Sequence, residues 1–169
     1  LAAAGGASIS VLDVAPVPYP TQQSLKIDLR DQSNVDSVLD SLEGNFDVVF
    51  SCAGVAQDTP GIILINFISQ RHIIETLFVR KQLSIGGSVV LNETPEHYTL
   101  SKQAINAYVA SNCYKFVKQG VRLNAVLPGP TDTPLARANA DTWLTFGQAF
   151  REDIGLPPLS PQQIASTMV

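Results

Sequence analysis

The sequence predicts an α/β fold with a doubly wound parallel sheet in three layers, and two observations carry that prediction. Short apolar runs alternate in strict turn with stretches of helical periodicity. The runs are continuously apolar rather than alternating, as parallel strands covered on both faces require. Composition agrees: 169 residues, 45% hydrophobic and 15% charged, with a net charge of -4, describe one domain spanning 1–169 that can bury a core.

In chain order, ASISVLDV reads as a strand ending in Asp13, and SLKIDL as a second strand closed by Asp28. NVDSVLDSLEG has helical spacing and a glycine stop, and FDVVFSCAG is a strand breaking at Gly54. IILINFISQRHIIETLFVRKQL predicts one long helix, GGSVVLN a strand, TLSKQAINAYVASNCYKFVKQG a helix ending at Gly120, and VRLNAVLPG a strand ending at Pro128-Gly129. PVPYPTQQ is a proline-rich loop, and LSPQQIASTMV begins a further helix.

In open α/β sheets, ligands bind beyond the carboxyl ends of the strands. Those ends here collect Asp13, Asp28, Cys52-Ala53-Gly54 and Pro128-Gly129-Pro130-Thr131, while the strand interiors stay apolar. Each has two readings. An Asp after a strand is often a turn former, yet a carboxylate closing Asp13's strand can also accept hydrogen bonds from ribose hydroxyls and repel a 2′-phosphate, favouring NAD over NADP. Gly54 serves a tight turn or lets a cofactor lie against backbone. Pro128-Gly129 opens a loop in either case.

The most informative pair is Tyr98 and Lys102, four apart in EHYTLSKQAINAYVAS. On a helix, residues so spaced share a face, with β-carbons about 5–6 Å apart. A free phenol titrates near pH 10 and is a poor acid or base at neutral pH; a fixed cation beside it lowers that value. Spacing alone is common and equally describes a half-buried tyrosine beside a solvated lysine.

Taken in order and spacing, these residues resemble the short-chain dehydrogenase/reductase family over almost the whole chain. Tyr98-Thr99-Leu100-Ser101-Lys102 fits its YxxxK element, Cys52-Ala53-Gly54 its NAG element with Cys in place of Asn, and Asn66 its helix asparagine. LNAVLPGPTDTPL, with Pro128, Gly129, Thr131 and Thr133, is similar to the cofactor-facing segment after the sixth strand, and Asp28-Leu29 to the pair that contacts adenine. The likeness is greatest to the bacterial 3α-hydroxysteroid dehydrogenase and carbonyl reductase group. It implies a Rossmann-type domain and hydride transfer between NAD(H) and a secondary alcohol or ketone, a hydroxysteroid or other hydrophobic carbonyl compound. Tyr98 would be the general acid/base. Lys102 would lower its pKa and bond the nicotinamide ribose, and Asn66 would hold a relay water through its backbone.

Departures from the family pattern are equally plain. The glycine-rich turn that brings backbone to a pyrophosphate is absent, as are the first and last strands. The family's catalytic Ser lies about a dozen residues before the Tyr; here only five residues separate Asn92 from Tyr98 and none is Ser, Ser88 is at the wrong end of its strand, and Thr94 is a poor substitute. One explanation is a degenerate protein. The favoured one is a chain incomplete at both ends and between about 92 and 98, because the first strand belongs at the centre of the sheet, and its loss exposes two apolar strand edges. A chain break near Asn92 to Tyr98 is the expected sign.

Other residues take plainer readings. Cys52 and Cys113 lack metal-ligand spacing and are expected to be reduced and structural, with no metal. His72 is expected at a surface, and His97 to face away from its neighbour Tyr98. ADTWLTFGQAF carries an apolar stripe with Trp143 and Phe146 where the family places a substrate lid, which suits a hydrophobic substrate. Fifteen acidic against eleven basic residues without a basic cluster argue against nucleic acid. The absence of a membrane-length apolar run or a signal-peptide pattern makes a cytoplasmic protein the default. The helices bearing Asn66 and Tyr98 are apolar around much of their circumference, so a homodimer or homotetramer is expected. The alternative to an enzyme is a non-catalytic dinucleotide-binding or scaffold protein of the same fold.

Overall fold

Apolar runs too short for helices pair in this chain as parallel strands, the first two joined by the proline-rich loop and the last three by helices. The computed structural model describes residues 7–56, 59–92 and 97–168. Strand β1 (Ser10–Asp13) pairs with β2 (Gln23–Lys26) from Ser10 opposite Gln23 to Asp13 opposite Lys26. The last bond of that ladder runs from Ile27 N–H to Asp13 O. β2 therefore stops short of Asp28, contrary to the sequence expectation. The Asp28 carboxylate accepts the Arg30 N–H, a local turn that competes with strand pairing.

Helix α1 (Gln32–Ser41) starts where the Asp31 side chain accepts the Asn34 N–H, and Gly44, at φ 99°, supplies the left-handed turn beyond it. Strand β3 (Phe46–Ser51) follows. The expected single helix over 62–83 is instead a π-helical turn (Leu64–Ile68) continued by α2 (Ser69–Val79). It ends early because Lys81 takes the left-handed position, φ 57°, while Gln82 N–H reaches back to Leu77 O. No glycine marks that stop in the sequence.

Strand β4 (Leu83–Asn92) thus begins three residues before the predicted GGSVVLN. It lies between β3 and β5 (Arg122–Val126), parallel to both. Its register against β3 jumps: Phe46 faces Leu83, but Val48 faces Ser88. Gly87 sits in this bulge, where a β-carbon would lie 2.7 Å from both Asp47 O and Ser84 O, so only glycine lets the two backbones come this close. Helix α3 (His97–Val117) connects β4 to β5 and stops before Gly120, at φ 75°. Beyond β5 come four short helices, α4 (Pro134–Ala138), α5 (Ala140–Trp143), α6 (Gln148–Asp153) and α7 (Pro161–Met168).

The core has two parts that meet on α2. Ile74 and Phe78 pack with Val89, Ile105, Tyr108, Phe116, Val121 and Leu123, and the Phe78 and Phe116 rings lie 4.2 Å apart. Leu77 joins Ile27, Val35, Val38, Leu39 and Leu42. Leu12 and Leu25 from one sheet, and Phe46, Val49 and Leu83 from the other, pack on that second group. Both half-sheets therefore grip one helix layer, yet among the described residues no strand joins β1 to β3. Each keeps an unpaired edge, and Val48, in the middle of β3, is 42% exposed. This is the parallel α/β architecture the sequence predicts, with the strand order broken where a doubly wound sheet has its centre. The expected chain break between Asn92 and Tyr98, and Thr94 with it, lie outside the described residues.

Candidate active site at the strand ends

Strand β3 releases the chain at Ser51, and the next four residues, Cys52 to Val55, form a shelf at the sheet's carboxyl rim. Two side chains from the turn Leu64–Ile68 and the start of α2 hold it. Asn66, fully buried, accepts the Val55 N–H at 2.9 Å and donates to Val55 O at 3.1 Å. Gln70, 2% exposed, accepts from Ser51 Oγ at 2.6 Å and donates to Ala53 O at 2.6 Å and Ile65 O at 2.9 Å. Between them Ser69, also buried, donates to Leu29 O at 2.7 Å. A π-helical turn widens the helix by one residue and is frequent at functional sites. Here the residues in and just after it tie the ends of two strands together.

Helix α3 reaches the same place. Ser101 is fully buried and accepts from Asn66 Nδ2 at 3.5 Å. Lys102 is 2% exposed, and its charge acts on Cys52. Although Cys52 as a residue is exposed, desolvation of its sulfur pushes the thiol up, and the Lys102 ammonium pulls the other way. Cys52 is a free thiol at the rim, and Lys102 acts on it through its charge. Tyr98 begins the same helix, one turn before Lys102; its side chain lies outside the described residues.

Leu29, Cys52, Ala53, Asn66 and Lys102 are thus linked at one rim, with Gly54 on the same shelf. Asp13 closes β1 and is exposed, with one carboxylate oxygen accepting the Ala15 N–H at 2.9 Å. Both of its readings are compatible with this, since the turn engages a single oxygen. Asp28 is committed locally: Arg30 donates to its two oxygens at 3.0 and 2.7 Å and lowers its pKa to about 2. After β5, Thr131 Oγ1 donates to Gly129 O, and Gly129 has φ 64°. Thr133 caps α4 by accepting the Ala136 N–H, so its hydroxyl is engaged. Pro130–Asp132 pairs with Leu159, closing α4 to α6 into an excursion with a common base. Phe146 and Phe150 on it are each 69% exposed, and the expected apolar stripe is broken, with Trp143 ending α5, Phe146 in the turn that follows and Phe150 on α6.

Sequence reasoning missed Ser51, Ser69, Gln70 and Ser101. A signal existed for Gln70, which stands four residues after Asn66 and so shares its side of a helix. His72 pairs at the surface with Asp36, at 2.7 Å. Among the described residues no group of three or more His, Cys, Asp or Glu could hold a metal, and no helix is long and apolar enough to cross a membrane.

The donor set fits the two ends of a nicotinamide dinucleotide. The small exposed residues Ala53 and Gly54 give a flat ring a place against backbone, Asp13 keeps acceptor capacity for a ribose, and Lys102 supplies a cation. No glycine-rich turn for the pyrophosphate exists in the sequence.

Comparison with known proteins bears on the same fold. (+)-cis,trans-Nepetalactol synthase NEPS1 of Nepeta racemosa is 27% identical over 174 aligned residues, covering 86% of this chain and 64% of that protein. A solved short-chain dehydrogenase family protein from Francisella tularensis subsp. tularensis SCHU S4 superposes with a TM-score of 0.75 at 23% identity, covering 95% of this chain and 78% of that one. The 3-alpha-hydroxysteroid dehydrogenase from Pseudomonas sp. B-0831, solved with NADH, gives the same TM-score at 19% identity, with 99% and 80% covered. No single relative is favoured. The chain spans between 21% and 64% of the curated relatives it first matches. Residues 82–169, just over half of the chain, match the family model described as Enoyl-(Acyl carrier protein) reductase. That region holds β4, the helix of Tyr98 and Lys102, and everything after it, and the chain belongs to the short-chain dehydrogenase/reductase family.

Proposed function

We propose that this protein is an NAD(H)-dependent oxidoreductase acting on a secondary alcohol or ketone. The observation that carries the reading is Lys102: a lysine 98% removed from water, one helical turn after Tyr98, acting electrostatically on Cys52 at the strand rim. Burying an ammonium is costly, so its retention argues for a task. Tyr98 donates its phenolic proton to a carbonyl oxygen during reduction, or accepts the alcohol proton during oxidation, and the Lys102 charge stabilises the phenolate. A bound dinucleotide would supply the hydride in reduction and accept it in oxidation. Asp13, Leu29, Cys52, Ala53, Gly54, Pro128, Gly129 and Thr131 line the rim that would receive it, and Asn66 keeps the rim in shape. A free carboxylate oxygen on Asp13 favours NAD over NADP.

Phe146 and Phe150, exposed on the excursion that Pro130–Asp132 and Leu159 close at its base, support an apolar ketone as substrate; a hydroxysteroid is one member of that class. Ile68, Leu100, Tyr114 and Val117, all exposed on the helices of Asn66 and Tyr98, support a homo-oligomer, and a sharp monomer in light scattering would remove that part. A cytoplasmic location goes with this reading.

Tyr98→Phe is the deciding experiment. Turnover should fall by about 10³-fold or more while NADH affinity, read by fluorescence titration, stays nearly unchanged. Retained turnover would refute the role. The second reading, a dinucleotide-binding protein without catalysis, is favoured by the lack of Ser between Asn92 and Tyr98. NADH binding with no turnover of any ketone in the wild-type protein would select it.

A further inference from the structure

We infer that Gln70 is a positioning residue for the dinucleotide, acting through the shelf Ser51–Val55; this rests on the oxidoreductase reading above. The geometry is specific to an amide. Its Oε1 takes the Ser51 hydroxyl at 2.6 Å, and its Nε2 serves two carbonyls, Ala53 O at 2.6 Å and Ile65 O at 2.9 Å. A carboxylate in the same place would set an oxygen against two carbonyl oxygens. An apolar side chain would leave both without this donor. The amide orientation is therefore dictated by its partners.

The consequence falls on the ligand side. Gln70 and Asn66 take hold of Ser51, Ala53 and Val55, every second residue, and leave Cys52, Ala53 and Gly54 exposed at the rim. With Ala53 O occupied from below, the shelf has one height, and a ring laid on Ala53-Gly54 meets a surface already in place. Such preorganisation is expressed in affinity rather than in the chemical step. Gln70 touches neither ligand nor reacting atoms, and its buried amide has no other use in the mechanism.

The test compares wild type, Gln70→Met, Gln70→Glu and Ser51→Ala, with NADH as the probe. For Gln70→Met, the NADH dissociation constant and KM should rise about tenfold, the loss of roughly 1.4 kcal/mol, while kcat falls by less than about threefold. Gln70→Glu should be worse than Met despite its closer shape. Alkylation of Cys52 by iodoacetamide, in a Cys113→Ser background, should speed up as the shelf loosens. If Gln70→Met does not fold, Ser51→Ala removes one bond and should raise the dissociation constant about threefold. Unchanged NADH affinity in Gln70→Met and Ser51→Ala, beside a wild type that binds, overturns the inference and leaves the oxidoreductase reading standing. A wild type that binds no NADH overturns both.

Discussion

The rim around Asn66 and the excursion from Thr131 to Leu159 lie at the carboxyl side of the same sheet and are built in opposite ways. At the rim, Asn66, Ser69, Gln70, Ser101 and Lys102 are buried, and apart from the bond of Gln70 to Ile65 O the side-chain bonds described above join residues 11 to 40 positions apart. In the excursion, Asn139, Thr145, Gln148 and Arg151 bond within seven residues of themselves. Phe146, Phe150, Ile154 and Leu156 remain largely exposed. The rim is tied to distant parts of the molecule, whereas the excursion's side-chain bonds named above are local and its base pairs at Leu159. Under the proposed oxidoreductase reading, a fixed shelf and an adaptable cover would call for this division.

The comparison can be broken most directly at Asn66. Asn66→Leu strands the backbone N–H and C=O of Val55 and should cost about 2–4 kcal/mol in urea unfolding. Phe150→Ser should leave stability within about 0.5 kcal/mol, because the ring is already mostly in water. If the two variants lose equal stability, the contrast between the regions is wrong.

The next largest effect concerns Lys102 and Cys52. In a Cys113→Ser background, Lys102→Met removes the charge that holds the Cys52 pKa down, so the thiol titrates higher still. Its alkylation at a fixed pH near 8 should slow by about threefold. An unchanged rate would separate the lysine from the rim and weaken the functional reading without reference to activity. Smaller again is the kinetic consequence of Phe150→Ser: KM for an apolar ketone should rise severalfold with little change in kcat if the exposed rings cover substrate.

The smallest effect lies in the surface pairs. Arg30 lowers the pKa of Asp28 to about 2, and Arg137 lowers that of Asp132. A folded-state pKa below the ordinary 3.8 contributes stability above that value and loses it as pH falls through the folded one. For Asp28 the window runs from about 4 to about 2. Asp28→Asn should flatten the acid unfolding curve slightly there and leave the neutral-pH melting temperature nearly unchanged, since both partners are exposed.

Much of this was legible in the residues because the signals were local. Alternating apolar runs and helical spacing placed every strand and the helix of Tyr98 and Lys102. Glycines at 44 and 120 marked real stops. The errors arose where long-range packing decides. Lys81 ends α2 in a left-handed conformation usually reserved for glycine, and the bulge that Gly87 permits depends on a neighbouring strand's backbone. Gln70 could have been a surface residue by type; only a shelf delivered from 17 positions away makes it a buried clamp. The strand before Asp28 ends early because an Asp with Arg two residues on bonds locally.

The unjoined edges of β1 and β3 have a mechanical consequence. Among the described residues, the two halves are coupled across that seam by side chains on α1 and α2 and not by a ladder of main-chain bonds. Packing resists shear poorly compared with a ladder, so a force applied at Asp13 and Val126 should part the molecule between Leu12 and Val49 while each half-sheet is still intact.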